Sequence, residues 1–104
     1  MAQKDKAKFR STAKWKKFRK SLKDSRKRDE VTLKPLYKGF SLHHLDLDER
    51  HYTDLTDPSH FACLNKKTHD FMHWAYQYYI NDPSFLDRVR VMLDKMVELN
   101  HGQS

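Results

Sequence analysis

Glycine and cysteine are scarce in this chain of 104 residues, and each scarcity excludes a class of site. The two glycines, Gly39 and Gly102, lie far apart, whereas the phosphate-binding loops of dinucleotide and P-loop folds need several glycines within a few residues. The single cysteine, Cys63, excludes an internal disulfide framework and a zinc finger built on paired cysteines. No apolar run approaches the roughly 18 to 20 residues that span a bilayer, and the basic start lacks the apolar segment of a secretory signal. We therefore expect one small, soluble, basic domain in a reducing compartment, the cytoplasm.

Positive charge is concentrated in the first third of the chain. Residues 1–38 contain 15 of the 21 lysines and arginines and only four acidic residues, which gives a net charge of +11. Residues 39–104 carry a net charge of −4, and the whole chain carries +7. A basic segment joined to a mildly acidic body predicts a polyanionic partner that contacts the basic segment.

The basic segment is predicted to hold one helix. We expect residues 1–12 to form a flexible basic arm and residues 13–28 to form the helix. Trp15, Phe18 and Leu22 follow the i, i+3, i+7 spacing of one helix face. The other faces are basic and carry Lys14, Lys16, Lys17, Arg19, Lys20 and Lys23. Such a helix suits the phosphate backbone of a nucleic acid, which it would bind without sequence preference, whereas its apolar face is too narrow for a membrane surface.

Residues 37–80 are predicted to form a strand–strand–helix unit. Phe40–Leu47 alternates between apolar and polar residues, as a half-buried strand does, and Phe61–Leu64 reads as a second short strand. Either Asn65 or Thr68 can cap a helix that continues to the end of this unit. Its apolar residues recur at helical spacing.

A last helix over residues 83–100 closes the chain. Asp82 is expected to cap it, with Pro83 at the first helical position and Gly102 just past its end. Its apolar face is regular and contains Phe85, Val89, Met92, Leu93 and Met96. The chain is therefore predicted to be an α+β protein, with a two-stranded core flanked by a basic helix and an amphipathic helix.

Seven histidines in so short a chain point to metal chemistry. His43 and His44 end the first predicted strand, and His69 and His73 lie four residues apart on one face of the helix that follows. That spacing lets two imidazoles converge on one metal ion while a third ligand arrives from elsewhere. Either pair alone is more often a set of ordinary surface residues, but both pairs within 31 residues favour a metal site.

The histidine segment resembles the HNH, or ββα-metal, nucleases, particularly the small phage-encoded HNH endonucleases. The resemblance covers residues 37–80 and rests on the four segments 42–45, 52–55, 57–69 and 70–74, which contain the His43-His44 pair and the two helical histidines. It extends to the colicin-type DNases in histidine spacing, with 24 residues between His44 and His69 and three between His69 and His73.

The resemblance implies a phosphodiester hydrolase with one divalent metal ion. His43, His69 and His73 would be the metal ligands, and His44 the general base that deprotonates the attacking water. Zn²⁺ and Ni²⁺ suit three imidazoles, and Mg²⁺ or Mn²⁺ is the alternative working ion. Nearby, Lys66 and Lys67 are either phosphate contacts or an ordinary solvated pair. The resemblance therefore predicts a DNA endonuclease or nickase, expressed in a phage-infected bacterial cell.

One position departs from the family pattern. Nine residues before the first helical histidine, the family carries an asparagine that holds the loop between the strands, and this chain has His60. A histidine can donate a ring N–H to a carbonyl, so His60 is the expected structural substitute. The alternative is that His60 marks a degenerate site. The domain would then be a non-catalytic, metal-stabilised module that binds nucleic acid or protein, for example among the proteins of a phage packaging complex.

Overall fold

The computed structural model describes residues 2–101, and its elements confirm the predicted α+β class. In chain order these elements are α1 (Gln3–Arg10), α2 (Ala13–Arg26), β1 (Ser41–His44), β2 (Phe61–Leu64), α3 (Lys66–Tyr79) and α4 (Phe85–Leu99). Two short 3₁₀ turns, Glu49–His51 and Pro58–His60, lie between the strands. Among the described helices, none combines the length and the apolarity that a bilayer span requires.

The chain divides into two compact units, residues 1–69 and residues 70–104. The first unit holds α1, α2, the sheet and the first turn of α3. The second unit holds the rest of α3 and all of α4, so the boundary falls inside one continuous helix.

Helix α1 occupies the segment that the sequence predicts to be a flexible arm. Its Phe9 ring lies 5.5 Å from the ring of Trp15 and 5.9 Å from that of Tyr52, between centroids. Lys6 Nζ pairs with Glu49 at 2.8 Å. Two of these partners, Tyr52 and Glu49, lie more than 40 residues away in sequence, so the contacts that dock α1 cannot be predicted from its own local sequence.

Helix α2 forms where the aromatic spacing predicts it. The hydroxyl of Thr12 accepts a hydrogen bond from the Trp15 N–H at 3.2 Å and so caps the start. The helix ends at Arg26 because Lys27 adopts a left-handed conformation, with φ of 65°. Helix α2 contributes Trp15 and Leu22 to the buried core of the first unit. The other members of this core are Phe40, Leu42, Phe61 and Cys63.

The two strands pair antiparallel in a register that sorts their side chains between two faces. Leu42 lies opposite Cys63, and His44 lies opposite Phe61. All four side chains therefore share one face of the sheet, since side chains alternate along a strand. His43 belongs to the other face. The first strand is shorter than predicted. Leu45 still donates its N–H to the carbonyl of His60 at 2.8 Å, but the His60 N–H bonds to the carbonyl of Asp57 in its own turn, so the ladder ends there.

A buried carboxylate fastens the connection between α2 and β1 to the start of α3. Asp29 is fully buried and accepts hydrogen bonds from the N–H groups of Val31, Thr32 and Asn65, each at 2.8 Å. The hydroxyl of Thr68 also donates to it. Asn65 precedes α3 as predicted, but its side chain accepts from the N–H of residue 37 and donates to the carbonyl of residue 35.

Helix α4 begins at Phe85, two residues later than the sequence predicts. The carbonyl of Asp82 accepts the Phe85 N–H at 3.0 Å, and its carboxylate pairs with Arg88 instead of capping. Within α4, whose residues are all described, no side chain is buried. In this second unit the Phe85 ring stacks on Tyr78 at 5.3 Å and meets Trp74 edge-on at 5.8 Å. The glycine expected to end the helix, at position 102, lies outside the described residues.

Candidate metal centre

The pleat of β1 sends two adjacent histidines to opposite faces of the sheet. His43 points away from the hydrophobic core, whereas His44 points into it beside Phe61. This separation lets neighbouring residues of one chemical type occupy different environments, as the alternation of the strand predicts.

Three histidines lie close enough to hold a metal ion. The ring of His43 meets that of His69 edge-on, with centroids 5.0 Å apart. His73 is one turn further along α3, and one ring nitrogen from each of the three lies within 4.8 Å of the others. His43 and His69 are half-buried and His73 is exposed.

This donor set fits a single divalent ion. Imidazole nitrogen is a preferred ligand of Zn²⁺, Ni²⁺ and related ions, and three protein ligands leave a coordination position for water or substrate. The two helical histidines belong to one continuous helix, α3. The predicted trio is therefore brought together, while the identity of the ion stays a prediction.

His44 is fixed by its backbone neighbour and by aromatic rings. Its Nε2 lies 3.0 Å from the carbonyl oxygen of Tyr52, and its ring stacks on the Tyr52 ring at 4.4 Å. Burial lowers the pKa of His44, and the nearby cations Lys6 and Arg10 lower it further, against the opposing effect of the Tyr52 carbonyl. The neutral ring is thereby favoured, which is the form that accepts a proton.

The loop before β2 is held by an arginine that sequence reasoning missed. Arg26 donates from Nη2 to the carbonyl of Pro58 at 2.7 Å and from Nη1 to the carbonyl of Phe61. The ring of His60 instead lies 3.3 Å from the carboxylate of Asp57, in its own turn. The task expected of the His60 side chain is therefore carried by Arg26, and His60 contributes its carbonyl to the Leu45 N–H.

The basic residues of α2 do not all have the same surroundings. Lys14, Lys16 and Lys17 are exposed. Arg19 is half-buried, donates to the Phe40 carbonyl at 2.6 Å and lies 3.7 Å above the Phe40 ring, so it also anchors the helix. The remaining predicted DNA contacts are exposed too, namely Lys20 and Lys23 of α2 and Lys66 and Lys67 of α3. Of these, Lys20 pairs with Asp24 at 2.7 Å. DNA contact by these eight residues stays a prediction.

A cavity of about 170 Å³ opens beside His44. Its walls are formed by His44, Asp46, His51, Asp54, His60 and Phe61. His51 Nδ1 lies 2.7 Å from Asp46 Oδ2, and this ion pair raises the pKa of His51. The cavity makes the surroundings of His44 reachable from solvent.

Comparison with known proteins adds no relative to this picture: no family model, no curated protein and no solved structure matches the chain. Three positions that support the site, Arg26, Asp29 and Tyr52, carry no recognisable motif in the sequence. A buried acid such as Asp29 is detectable in sequence only as one acidic residue within a basic run.

Proposed function

We propose that this protein is a metal-dependent DNA endonuclease or nickase of the HNH type. The observation that carries the proposal is the gathering of three imidazoles, from β1 and α3, together with a fourth imidazole, that of His44, which follows His43 in the chain and is held by a backbone carbonyl. One group of nitrogens would bind the metal, and the remaining histidine would act on water. This is the division of labour that hydrolysis of a phosphodiester requires.

His43, His69 and His73 would hold the divalent ion. When bound, such an ion supplies Lewis-acid stabilisation of the negative charge that develops on the phosphate oxygens. The half-buried position of His43 and His69 strengthens their hold on a cation, because fewer waters compete for it.

His44 would be the general base, acting through Nδ1. A carbonyl oxygen only accepts hydrogen bonds, so the proton of the neutral ring resides on Nε2, facing Tyr52. Nδ1 then carries the lone pair that takes a proton from the attacking water. The Tyr52 carbonyl thus selects the tautomer and, as Nδ1 becomes protonated, stabilises the charged ring.

The exposed lysines of α2 would hold the DNA backbone. Lys14, Lys16 and Lys17 lie on the same unit of the protein as β1 and carry no acidic partner among the ion pairs described above. Such contacts supply affinity without sequence preference, because phosphates are the same at every base pair. We therefore expect cleavage with little intrinsic sequence preference.

A plasmid-nicking assay tests the proposed reaction. Purified protein is incubated with supercoiled plasmid and Mg²⁺, Mn²⁺, Ni²⁺ or Zn²⁺, beside the His44→Ala and His51→Ala variants. We expect at least one metal to support nicking, and His44→Ala to cut at least about 100-fold more slowly because the general base is lost. His51 lies near the same cavity but has no assigned role, so His51→Ala should retain activity. Absence of nicking with every metal, or full activity in His44→Ala, would reject the proposal.

Isothermal titration calorimetry tests the metal site separately from cleavage. His69→Ala and His73→Ala should each weaken Zn²⁺ or Ni²⁺ binding by about 100-fold or more, because each removes one of three ligands. His44→Ala should bind the metal with unchanged affinity. If the helical variants bind as tightly as the wild type, these histidines are not ligands.

The second candidate function is a non-catalytic module whose metal is structural. It is favoured by His60, which stands where the family has asparagine and turns its ring towards Asp57. This candidate predicts salt-dependent DNA binding and a melting temperature that rises with metal, yet intact plasmid under every metal. The nicking assay therefore separates the two functions.

A further inference from the structure

The ring of His44 lies against a second aromatic surface, supplied by the basic helix. Trp15 of α2 stacks on it with an interplanar angle of 3° and centroids 5.9 Å apart. Tyr52 also stacks, at 14° and 4.4 Å. Two nearly parallel rings therefore align with the plane of the imidazole, and Trp15 itself is only 5 % exposed.

The aromatic walls are themselves braced. Phe9 of α1 packs against both Trp15 and Tyr52, at 5.5 Å and 5.9 Å between centroids. Phe61, the cross-strand partner of His44, lies 4.8 Å from the imidazole at a steep angle of 58°. The rings of Trp15, Tyr52 and Phe61 therefore oppose movement of the imidazole out of its plane, since packed interiors resist displacement.

Stacking and hydrogen bonding fix different motions of the same ring. The torsion about the bond to an imidazole is broad, so an unconfined histidine samples many ring tilts. Flat aromatic walls determine the tilt, and the Tyr52 carbonyl determines which edge of the ring faces it. Both constraints are needed before Nδ1 has a single direction.

We propose that Trp15 is a positioning residue that holds the imidazole of His44 in the orientation in which Nε2 donates to Tyr52. The positioning is a property of the fold, and its consequence for cleavage rests on the proposed nuclease function. The helix α2, which is proposed to bind the DNA backbone, would then also supply an aromatic ring that packs against the proposed general base. A misplacement of about 1 Å costs an enzyme up to about 100-fold in rate, so loss of this wall should be visible.

Three variants separate positioning from general stability. Trp15→Leu removes the flat wall but keeps much of the buried volume, and Trp15→Phe keeps a flat wall. Leu22→Val is the control, since Leu22 is buried on the same helix and belongs to the same core but is aliphatic and offers no ring to stack on the imidazole. Urea unfolding of each variant measures what the substitution costs in stability.

Nuclear magnetic resonance of the imidazole ring reads out the positioning directly, without any cleavage. In the wild type, we expect the His44 ring protons to be shifted upfield by the stacked rings, and the nitrogen correlations to report the Nε2–H tautomer. Trp15→Leu should reduce both signatures, whereas Trp15→Phe and Leu22→Val should keep them. Wild-type signatures in Trp15→Leu, or equal loss in Leu22→Val, would overturn the proposal.

Cleavage kinetics then test the catalytic consequence. Under the metal that supports nicking, Trp15→Leu should lower kcat by about 10-fold to 100-fold at unchanged KM and metal affinity, and Trp15→Phe should recover most of the loss. Unchanged kcat in Trp15→Leu would overturn the role in catalysis. A wild type that leaves plasmid intact under every metal would reject the nuclease function instead, and the ring signatures would still decide whether Trp15 positions His44.

Discussion

At the scale of single residues, Asp29 shows how a buried charge can stabilise a fold. Burial by itself would raise the pKa of its carboxyl. Hydrogen bonds outweigh this effect and lower the pKa to about 2; their donors are the N–H groups of Thr32 and Asn65, the Thr68 hydroxyl and the Val31 N–H. Because the ordinary pKa is 3.8, the ionised carboxylate is more stable in the folded state than in the unfolded state. The difference corresponds to about 2 kcal/mol.

Asp29 should therefore make stability depend on pH in a narrow acidic window. Its pKa is lowered on folding, so its contribution is fully present above about pH 4 and is lost as the pH falls towards 2. We expect Asp29→Asn to lower the free energy of unfolding by about 2 kcal/mol at pH 7. The gap between variant and wild type should shrink between pH 4 and pH 2, as measured by urea unfolding at each pH.

Asp24 supplies the control for this experiment. Its carboxylate is exposed and pairs with Lys20 on the surface of α2, so Asp24→Asn should leave the free energy of unfolding nearly unchanged. A gap for Asp29→Asn that stays constant down to pH 2 would contradict the assignment of the low pKa to this buried carboxylate.

At the scale of elements, Arg26 connects the end of α2 to the loop that leads into β2. It donates to the carbonyls of Pro58 and Phe61 and pairs with Glu30 at 3.1 Å. One guanidinium thereby serves three acceptors that lie in two different segments of the chain. The planar fork of arginine suits this arrangement better than the point charge of a lysine.

Removal of that guanidinium should loosen the loop beside the imidazoles. Arg26→Met keeps most of the aliphatic stem but leaves two carbonyls without their donor, so we expect a loss of about 2 kcal/mol in unfolding free energy. Hydrogen exchange should also increase for the N–H groups of the Pro58–His60 turn and of Leu45. Arg50→Met is the control, because Arg50 is largely exposed and its ion pair with Asp48, the one it makes among residues 2–101, lies within its own turn. Equal effects in both variants would show that the Arg26 contacts contribute nothing particular.

At the scale of the whole molecule, the charge is divided between two parts of the chain. Residues 1–38 carry +11 and residues 39–104 carry −4, and the exposed lysines of α2 belong to the first part. Net charge alone predicts only general attraction to DNA. A defined interface predicts that the position of each lysine matters.

Two triple variants with equal net charge distinguish these possibilities. Replacement of Lys14, Lys16 and Lys17 by glutamine should reduce the slope of log K against log[salt] by up to about 2.7, which is about 0.9 for each phosphate that is no longer neutralised. Replacement of Arg88, Arg90 and Lys95 on α4 by glutamine removes the same charge and should leave the slope unchanged. Fluorescence anisotropy with duplex DNA over a salt series measures both. Equal slopes in the two variants would contradict an interface on α2.

The sequence predicted the elements whose signals are local. The spacing of Trp15, Phe18 and Leu22 indicated α2, and the apolar run of Phe61–Leu64 indicated β2, because periodicity reports directly on what an element buries. The placement of His69 and His73 on one face of a helix also followed from their spacing. These features need no knowledge of distant parts of the chain.

The supporting contacts could not be predicted, because their partners are far apart in sequence. Helix α1 is docked by Tyr52, the loop before β2 by Arg26, and the start of α3 by Asp29. Each depends on a three-dimensional arrangement that a single sequence does not display. The same is true of Trp15 on His44, since an aromatic residue at a core position gives no sign of which ring it will face.

The long reach of the Arg26 and Asp29 contacts bears on how the protein is made. Arg26 is separated from Phe61 by 35 positions, and Asp29 from Asn65 by 36. A ribosome synthesises from the N-terminus, so α2 emerges well before either of these partners exists. Until translation has passed β2, the nascent first third of the chain is strongly cationic and its Trp15 and Leu22 side chains remain uncovered. The speed of translation over residues 30–65 therefore sets how long these apolar side chains stay exposed.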